Sequence, residues 1–248
     1  MRKPTTRKEF IKVDEDRPTT GRVPTFNIQK ITFDLKCKNE SQKKFVNMIN
    51  DNDITICAGP AGTGKTFLAC GQALKLLKKD VGYTKIILVK SVTELEGEGI
   101  GFVPGDKDSK MEMPMASFLD NFHKIIGEDN TKRMMEMGMI IVLPLAFIRG
   151  RSIDNSIIIV DEGQNISLKN MRSTLTRIGE NSKMIITGDS KQIDLKDRSL
   201  SSLDTVVKMF ENKPNIGTMS FTIADIVRNK IIMMIEDEFD KWEEKNKK

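Results

Sequence analysis

Apolar positions along the chain change their rhythm near residue 54, and the predicted elements follow from that change. Residues 1–25 scatter single apolar side chains among seven basic and four acidic residues, interrupted by Pro4, Pro18, Gly21 and Pro24. Such a segment has too little apolar surface to fold alone, which predicts a basic N-terminal arm, partly disordered, reaching to residue 39. Within it Phe26, Ile28, Ile31, Phe33 and Leu35 alternate loosely, as an edge strand or a clamp on the core would. Phe45, Val46 and Ile49 then make a short helical stripe inside 40–50.

From Ile54 the pattern becomes strand then helix, repeated. Buried strands are predicted at 54–58, 85–89, 139–143, 156–160 and 183–187, with helices at 65–78 and 168–178. Helices at 202–210 and 231–244 flank a last strand at 217–221. Apolar strands alternating with amphipathic helices predict an α/β fold with a mostly parallel sheet flanked by helices. No linker divides residues 40–248, so one domain is expected there. The stretch 91–115 is rich in Gly, Pro and Glu and reads as a long functional loop.

Composition narrows the class. With 248 residues, 38% hydrophobic and 30% charged, the chain can bury one sizeable core. It contains no run of about 18 apolar residues that could cross a bilayer, and Arg2-Lys3-Pro4 is followed by no apolar stretch typical of a secretion signal. A cytoplasmic protein with no membrane partner is expected. Cys37, Cys57 and Cys70 lack CxxC or metal-like spacing and read as reduced, structural residues. His123 has no second histidine with which to form a metal site and reads as a helix-surface or core residue. Forty basic against 35 acidic residues, a net charge of +5, suit a phosphate-bearing partner by a thin margin. Tyr and Trp occur once each, so nucleic-acid contact would come mainly through backbone electrostatics.

The chemistry is concentrated in three segments. Gly59-Pro60-Ala61-Gly62-Thr63-Gly64-Lys65-Thr66 matches G-x-x-x-x-G-K-[ST] and falls between a predicted buried strand and a predicted helix. Glycines let backbone N–H groups turn inward around an anion, and the helix points the positive end of its dipole at the same phosphates. Lys65 would neutralise the β and γ oxygens of ATP, and Thr66 would offer its hydroxyl to Mg²⁺. The strand 156–160 then delivers Asp161, a candidate magnesium ligand, and Glu162, a candidate general base for the attacking water. A third strand ends in Gly188-Asp189-Ser190-Lys191-Gln192, where Gln192 could sense the γ-phosphate or the lytic water.

In order, Gly59 to Thr66, Asp161-Glu162-Gly163-Gln164 and Gly188 to Gln192 resemble motifs I, II and III of superfamily 1 helicases. Segments 101–106, 144–152, 175–179, 192–195 and 225–228 resemble, more closely, the PhoH family. That resemblance spans about residues 40–245. It implies a RecA-like P-loop NTPase core at 40–248, ATP and Mg²⁺ as cofactors, and ATP hydrolysis tied to RNA metabolism or a phosphate-starvation response. By position it implies that Gln42 recognises adenine and that Arg228 acts as an arginine finger or sensor, with Arg149 and Arg151 as further phosphate or nucleic-acid contacts. No nuclease-type domain is expected in the first 40 residues.

Three functions remain open at this level. An ATP-driven remodeller of RNA or single-stranded nucleic acid fits the motifs best. A nucleotide-gated interaction protein with slow hydrolysis is the second. A small-molecule kinase is the third, although 91–115 holds no arginine for a lid. One RecA-like core per chain predicts a homo-oligomer in which a neighbouring subunit completes the site, a hexameric ring being one candidate form.

Overall fold

The computed structural model describes residues 26–90, 109–148, 150–228 and 230–246. After α1 (Glu40–Asp51) the chain runs through β1 (Ile54–Ala58), α2 (Lys65–Lys78), β2 (Lys85–Lys90), α3 (Ser109–Ile126), α4 (Glu128–Glu136) and β3 (Ile140–Pro144). It continues through β4 (Ser156–Asp161), α5 (Leu168–Leu175), β5 (Lys183–Gly188), α6 (Leu203–Met209), β6 (Ile216–Ser220) and α7 (Lys230–Asn246). The strands form one sheet in the order β3-β2-β4-β5-β1-β6, and every pairing is parallel. With β5 between β1 and β4, the arrangement is a RecA-like P-loop core.

The strands are apolar on both faces because both faces are covered. Ile86, Leu88, Ile157, Ile159 and Ile185 pack with Phe45, Leu68 and Phe122 on the side of α1, α2 and α3. Their neighbours Ile87, Val89, Ile158, Val160 and Ile186 pack with Met171, Leu203 and Val206 on the side of α5 and α6. A parallel sheet needs helical crossovers between its strands, so the repeating pattern and the two-sided core have one cause.

The structure resolves one open expectation in favour of the clamp and changes another. Residues 26–39 form no strand; they make a 3₁₀ turn at Ile28–Lys30 and otherwise irregular chain. This chain clamps α2. Leu35 lies over Gly71, whose missing Cβ would sit 2.5 Å from a Leu35 methyl. The Gln29 amide donates to the Lys78 carbonyl at 2.6 Å, and Lys78 donates back to the Ile31 carbonyl. The predicted loop 91–115 falls outside the described residues as far as 108, and its remainder opens α3, not a loop. Phe118, Phe122 and Ile126 bury one side of that helix. Cys57 and Cys70 are buried thiols, and His123 is a half-buried residue of α3, as expected. Among the described residues no helix is long and apolar enough to cross a membrane.

Leu35→Ala should cost about 2–5 kcal/mol, the usual range for emptying a buried leucine site. A thermal or urea melt tests this; an unchanged midpoint would mean the clamp is not part of the cooperative core.

Candidate nucleotide-binding site

Strand alternation decides which side chains meet. Ile157 and Ile159 point to the α2 side, so Asp161, two residues on, points there too. Ile185 and Thr187 follow the same parity on β5. Register does the rest, since Val160 lies level with Ile186 and Cys57 lies level with Thr187. The Asp161 carboxylate therefore receives the Thr187 hydroxyl at 2.6 Å and the Thr66 hydroxyl, from the first turn of α2, at 3.1 and 3.2 Å.

The loop from Gly59 to Thr66 wraps the end of β1. Gly59, Gly62 and Gly64 have φ of 147°, 82° and 86°, a region L side chains rarely adopt. At Gly59 space also forbids a side chain, because a Cβ would lie 2.6 Å from that of Phe221. Lys65, almost fully buried, folds its ammonium back over the loop and donates to the Gly59 and Pro60 carbonyls at 2.7 and 2.9 Å. Burial pushes its pKa down, opposed by the carboxylates of Asp189, Asp161 and Glu162. Pro60 and Thr63 close the loop, the Thr63 hydroxyl donating to the Pro60 carbonyl at 2.9 Å. The Ala61 N–H donates to Asp189 at 2.9 Å, which ties this loop to the one after β5.

Glu162 occupies the left-handed region at φ 57° and ψ 40°, uncommon for a residue with a Cβ. Desolvation, then the neighbouring Asp161 charge, raise its pKa, while a hydrogen bond from Gln164 lowers it. Gln164 is a residue whose role the sequence did not disclose. Fully buried, it donates to Glu162 at 2.6 Å and to the Gln192 carbonyl at 2.9 Å, and its carbonyl oxygen accepts the Asp189 N–H at 2.9 Å. Its one detectable signal was its place two residues after Glu162, and only the fold shows that it spans β4 and β5. Thr187 was missed likewise; a hydroxyl closing an otherwise apolar strand was the available clue.

Gln192 and Arg228 are exposed and line the same cleft of about 470 Å³ as Lys65, Thr66, Asp161 and Glu162. The Arg228 methylenes pass 3.3 Å from where a Gly62 Cβ would be, and the Val227 N–H donates to the Gly62 carbonyl at 3.0 Å. Gln42 borders the cleft with both ends of its amide bonded to backbone, accepting from Lys38 at 2.6 Å and donating to the Thr63 carbonyl at 2.8 Å. Arg149 lies outside the described residues, and Arg151 is exposed and does not line the cleft.

The oxygens of Thr66 and Asp161 suit a hard cation such as Mg²⁺, which takes one or two protein oxygens and completes its shell with phosphate and water. Among the described residues no cluster of three or more His, Cys, Asp or Glu offers an all-protein metal cage.

Comparison with known proteins matches residues 34–240, most of the chain, to PhoH, the PhoH-like protein family. The chain belongs to the PhoH family. Over 207 residues it is 39% identical to the PhoH-like protein of Bacillus subtilis (strain 168), an alignment covering 84% of this chain and 64% of that one. Protein PhoH of Escherichia coli (strain K12) is 31% identical over 203 residues, covering 81% and 56%. The chain thus spans about 60% of the length of these PhoH relatives. Among solved structures, the large terminase of a thermophilic bacteriophage is similar with a TM-score of 0.49 at 11% identity, covering 78% of this chain and 48% of that one. The Sulfolobus solfataricus SWI2/SNF2 ATPase core in complex with dsDNA gives 0.43 at 15% identity, covering 83% and 48%.

Gln164→Leu keeps the volume but strips the Asp189 N–H and the Gln192 carbonyl of their partner. It should cost about 1–3 kcal/mol, as the buried Asp189 N–H loses its acceptor. Glu162 should then titrate at higher pH than in the parent, since the bond that lowers its pKa is gone. A melt and a carboxyl titration by NMR check both; an unmoved Glu162 would show that the contact does not tune it.

Proposed function

We propose that this PhoH protein binds Mg-ATP in the cleft and hydrolyses it, coupling turnover to remodelling of RNA or single-stranded nucleic acid. The observation that carries the reading is the meeting of Thr66, Asp161 and Thr187, drawn from three separate segments, at the mouth of a glycine-rich loop. Backbone N–H groups of Gly62 to Thr66 and the dipole of α2 receive the phosphates. Lys65 exchanges its two loop carbonyls for β and γ oxygens. Thr66 and Asp161 would hold Mg²⁺, whose chemistry there would be to neutralise charge on the phosphates.

Glu162 takes a proton from the water as its oxygen attacks the γ phosphorus and the bond to the β-γ bridging oxygen breaks, releasing ADP. Its raised pKa makes it a stronger base than an ordinary surface carboxylate. Arg228, lying over Gly62 of its own chain, suits a sensor of the γ-phosphate, and Gln192 suits the lytic water. Gln42 holds the Thr63 turn in place, and adenine would engage it by displacing the Lys38 or Thr63 contact.

Coupling to a polymer is supported by the segment following β5. Lys191, Lys196 and Arg198 are exposed on it, and Gln164 joins its backbone to Glu162. A phosphate backbone held there would bear on the base through a single side chain. The described residues contain one RecA-like core, which supports an assembly of several copies.

Glu162→Gln should retain ATP binding and lose at least about 100-fold in kcat, the range for removing a general base; Lys65→Ala should weaken both. In the parent, kcat/KM should fall on acidification through a pKa above the ordinary carboxylate value, because protonated Glu162 cannot accept the water's proton. Surviving turnover in Glu162→Gln would remove it from the base role.

ATPase rates with single-stranded RNA, single-stranded DNA and duplex, across a salt series, test the coupling. Stimulation by one polymer that fades with salt is expected. Indifference to all three would favour a nucleotide-gated interaction protein.

A further inference from the structure

Helix α7 carries a line of exposed apolar side chains. Ile231, Met234, Ile235, Phe239 and Trp242 recur at spacings of three and four, which places them on one side of the helix. Met234 is 59% exposed and Phe239 63%. Large apolar side chains gathered in this way mark an interaction surface more often than isolated ones do.

A receptor of matching character lies between α5 and α6. An open groove of about 690 Å³ is walled by Leu168, Leu175, Val206, Met209 and Phe210, with Lys169 and Arg172 at its lining. Its charge is opposite to that of α7, since segment 230–246 carries six carboxylates against three lysines while α5 carries two basic residues and no acid. Lys241 is paired locally with Asp237 and Glu238, and three lysines against six carboxylates leave segment 230–246 with a net charge of −3.

Placement favours a second copy as the occupant. The turn before α7 is bonded to the α1 side of the sheet, Asn39 donating to the Asp225 carbonyl at 3.3 Å and Phe221 packing on Phe45. The groove lies on the opposite side, where α5 and α6 cover the other face. Only Asn229 separates Arg228, which lies over the P-loop, from the start of α7. The start of α7 is therefore held on the face away from the groove of its own chain.

We infer that α7 of one copy docks, apolar side inward, into the α5–α6 groove of a second copy of this chain. The contact is heterologous, so every copy offers one α7 and one groove, and repetition gives a closed ring or an open chain. It has the form of an amphipathic helix laid in an apolar groove, and it rests on these surfaces rather than on the ATPase reading.

Sedimentation of the full chain from about 0.1 to about 100 μM brackets the roughly micromolar affinity expected of a contact this small. The parent should grow in mass with concentration, with a blue shift in the emission of Trp242, the only tryptophan. Phe239→Asp and Met209→Asp, both at exposed positions, should each sediment as monomer with an unchanged melting temperature. Mixed in equal amounts, the two variants retain one intact surface apiece and should form a dimer and nothing larger. Arg172→Glu should weaken assembly at least tenfold, and provides a second groove variant should Met209→Asp melt early. A monomeric parent overturns the inference. So does a groove variant that still assembles while Phe239→Asp does not, which would mean α7 pairs with α7.

Discussion

The site depends on one constraint, the agreement of side-chain parity across two neighbouring parallel strands. β4 and β5 alternate independently along their own lengths, yet both arrive at their carboxyl ends with a polar side chain facing α2. A one-residue slip of either strand would turn Asp161 or Thr187 toward α5 and α6 and break the contact with Thr66. The slip is opposed by the whole core, because it would exchange every residue of that strand between two differently shaped faces. Placement of one carboxylate is thus maintained by apolar packing along the full strand.

A second level of order is polar and local. Gln164 uses both ends of its amide to join the turn after β4 to the turn after β5, and the Asp189 it bonds reaches the P-loop. The three loops are therefore one hydrogen-bonded unit. Buried networks of this kind are stable when fully satisfied and costly when one member is lost. The left-handed backbone of Glu162 belongs to the same unit, and such a conformation persists where its surroundings over-determine it.

The strands were legible because burial on both faces leaves short, continuous, isoleucine-rich apolar runs such as Ile157 to Val160 and Met184 to Ile186. The glycine-rich loop was legible because a short-range backbone requirement is written in adjacent residues. Residues 26–36 were ambiguous for a physical reason, since loose alternation suits either a strand or a chain laid on a helix. Gly71 on α2, far along the sequence, decides between them. The first turns of α3 were hidden by Pro114, which disfavours a helix interior, and by the Gly- and Pro-rich residues before it. Phe118, Phe122 and Ile126 supply the tertiary contact that local preference lacks. Roles for Gln164 and Thr187 could not be read locally at all, because each exists only between strands distant in sequence.

The ammonium of Lys65 has a further consequence for how the cleft receives a nucleotide. Its bonds to the Gly59 and Pro60 carbonyls make it an internal placeholder that keeps the loop open in the shape of an anion. Under the proposed function, nucleotide entry would be an exchange of acceptors, with little refolding of the loop. Affinity in such a site is a difference between two sets of bonds, governed as much by how firmly the lysine is held before binding as by what it gains afterwards.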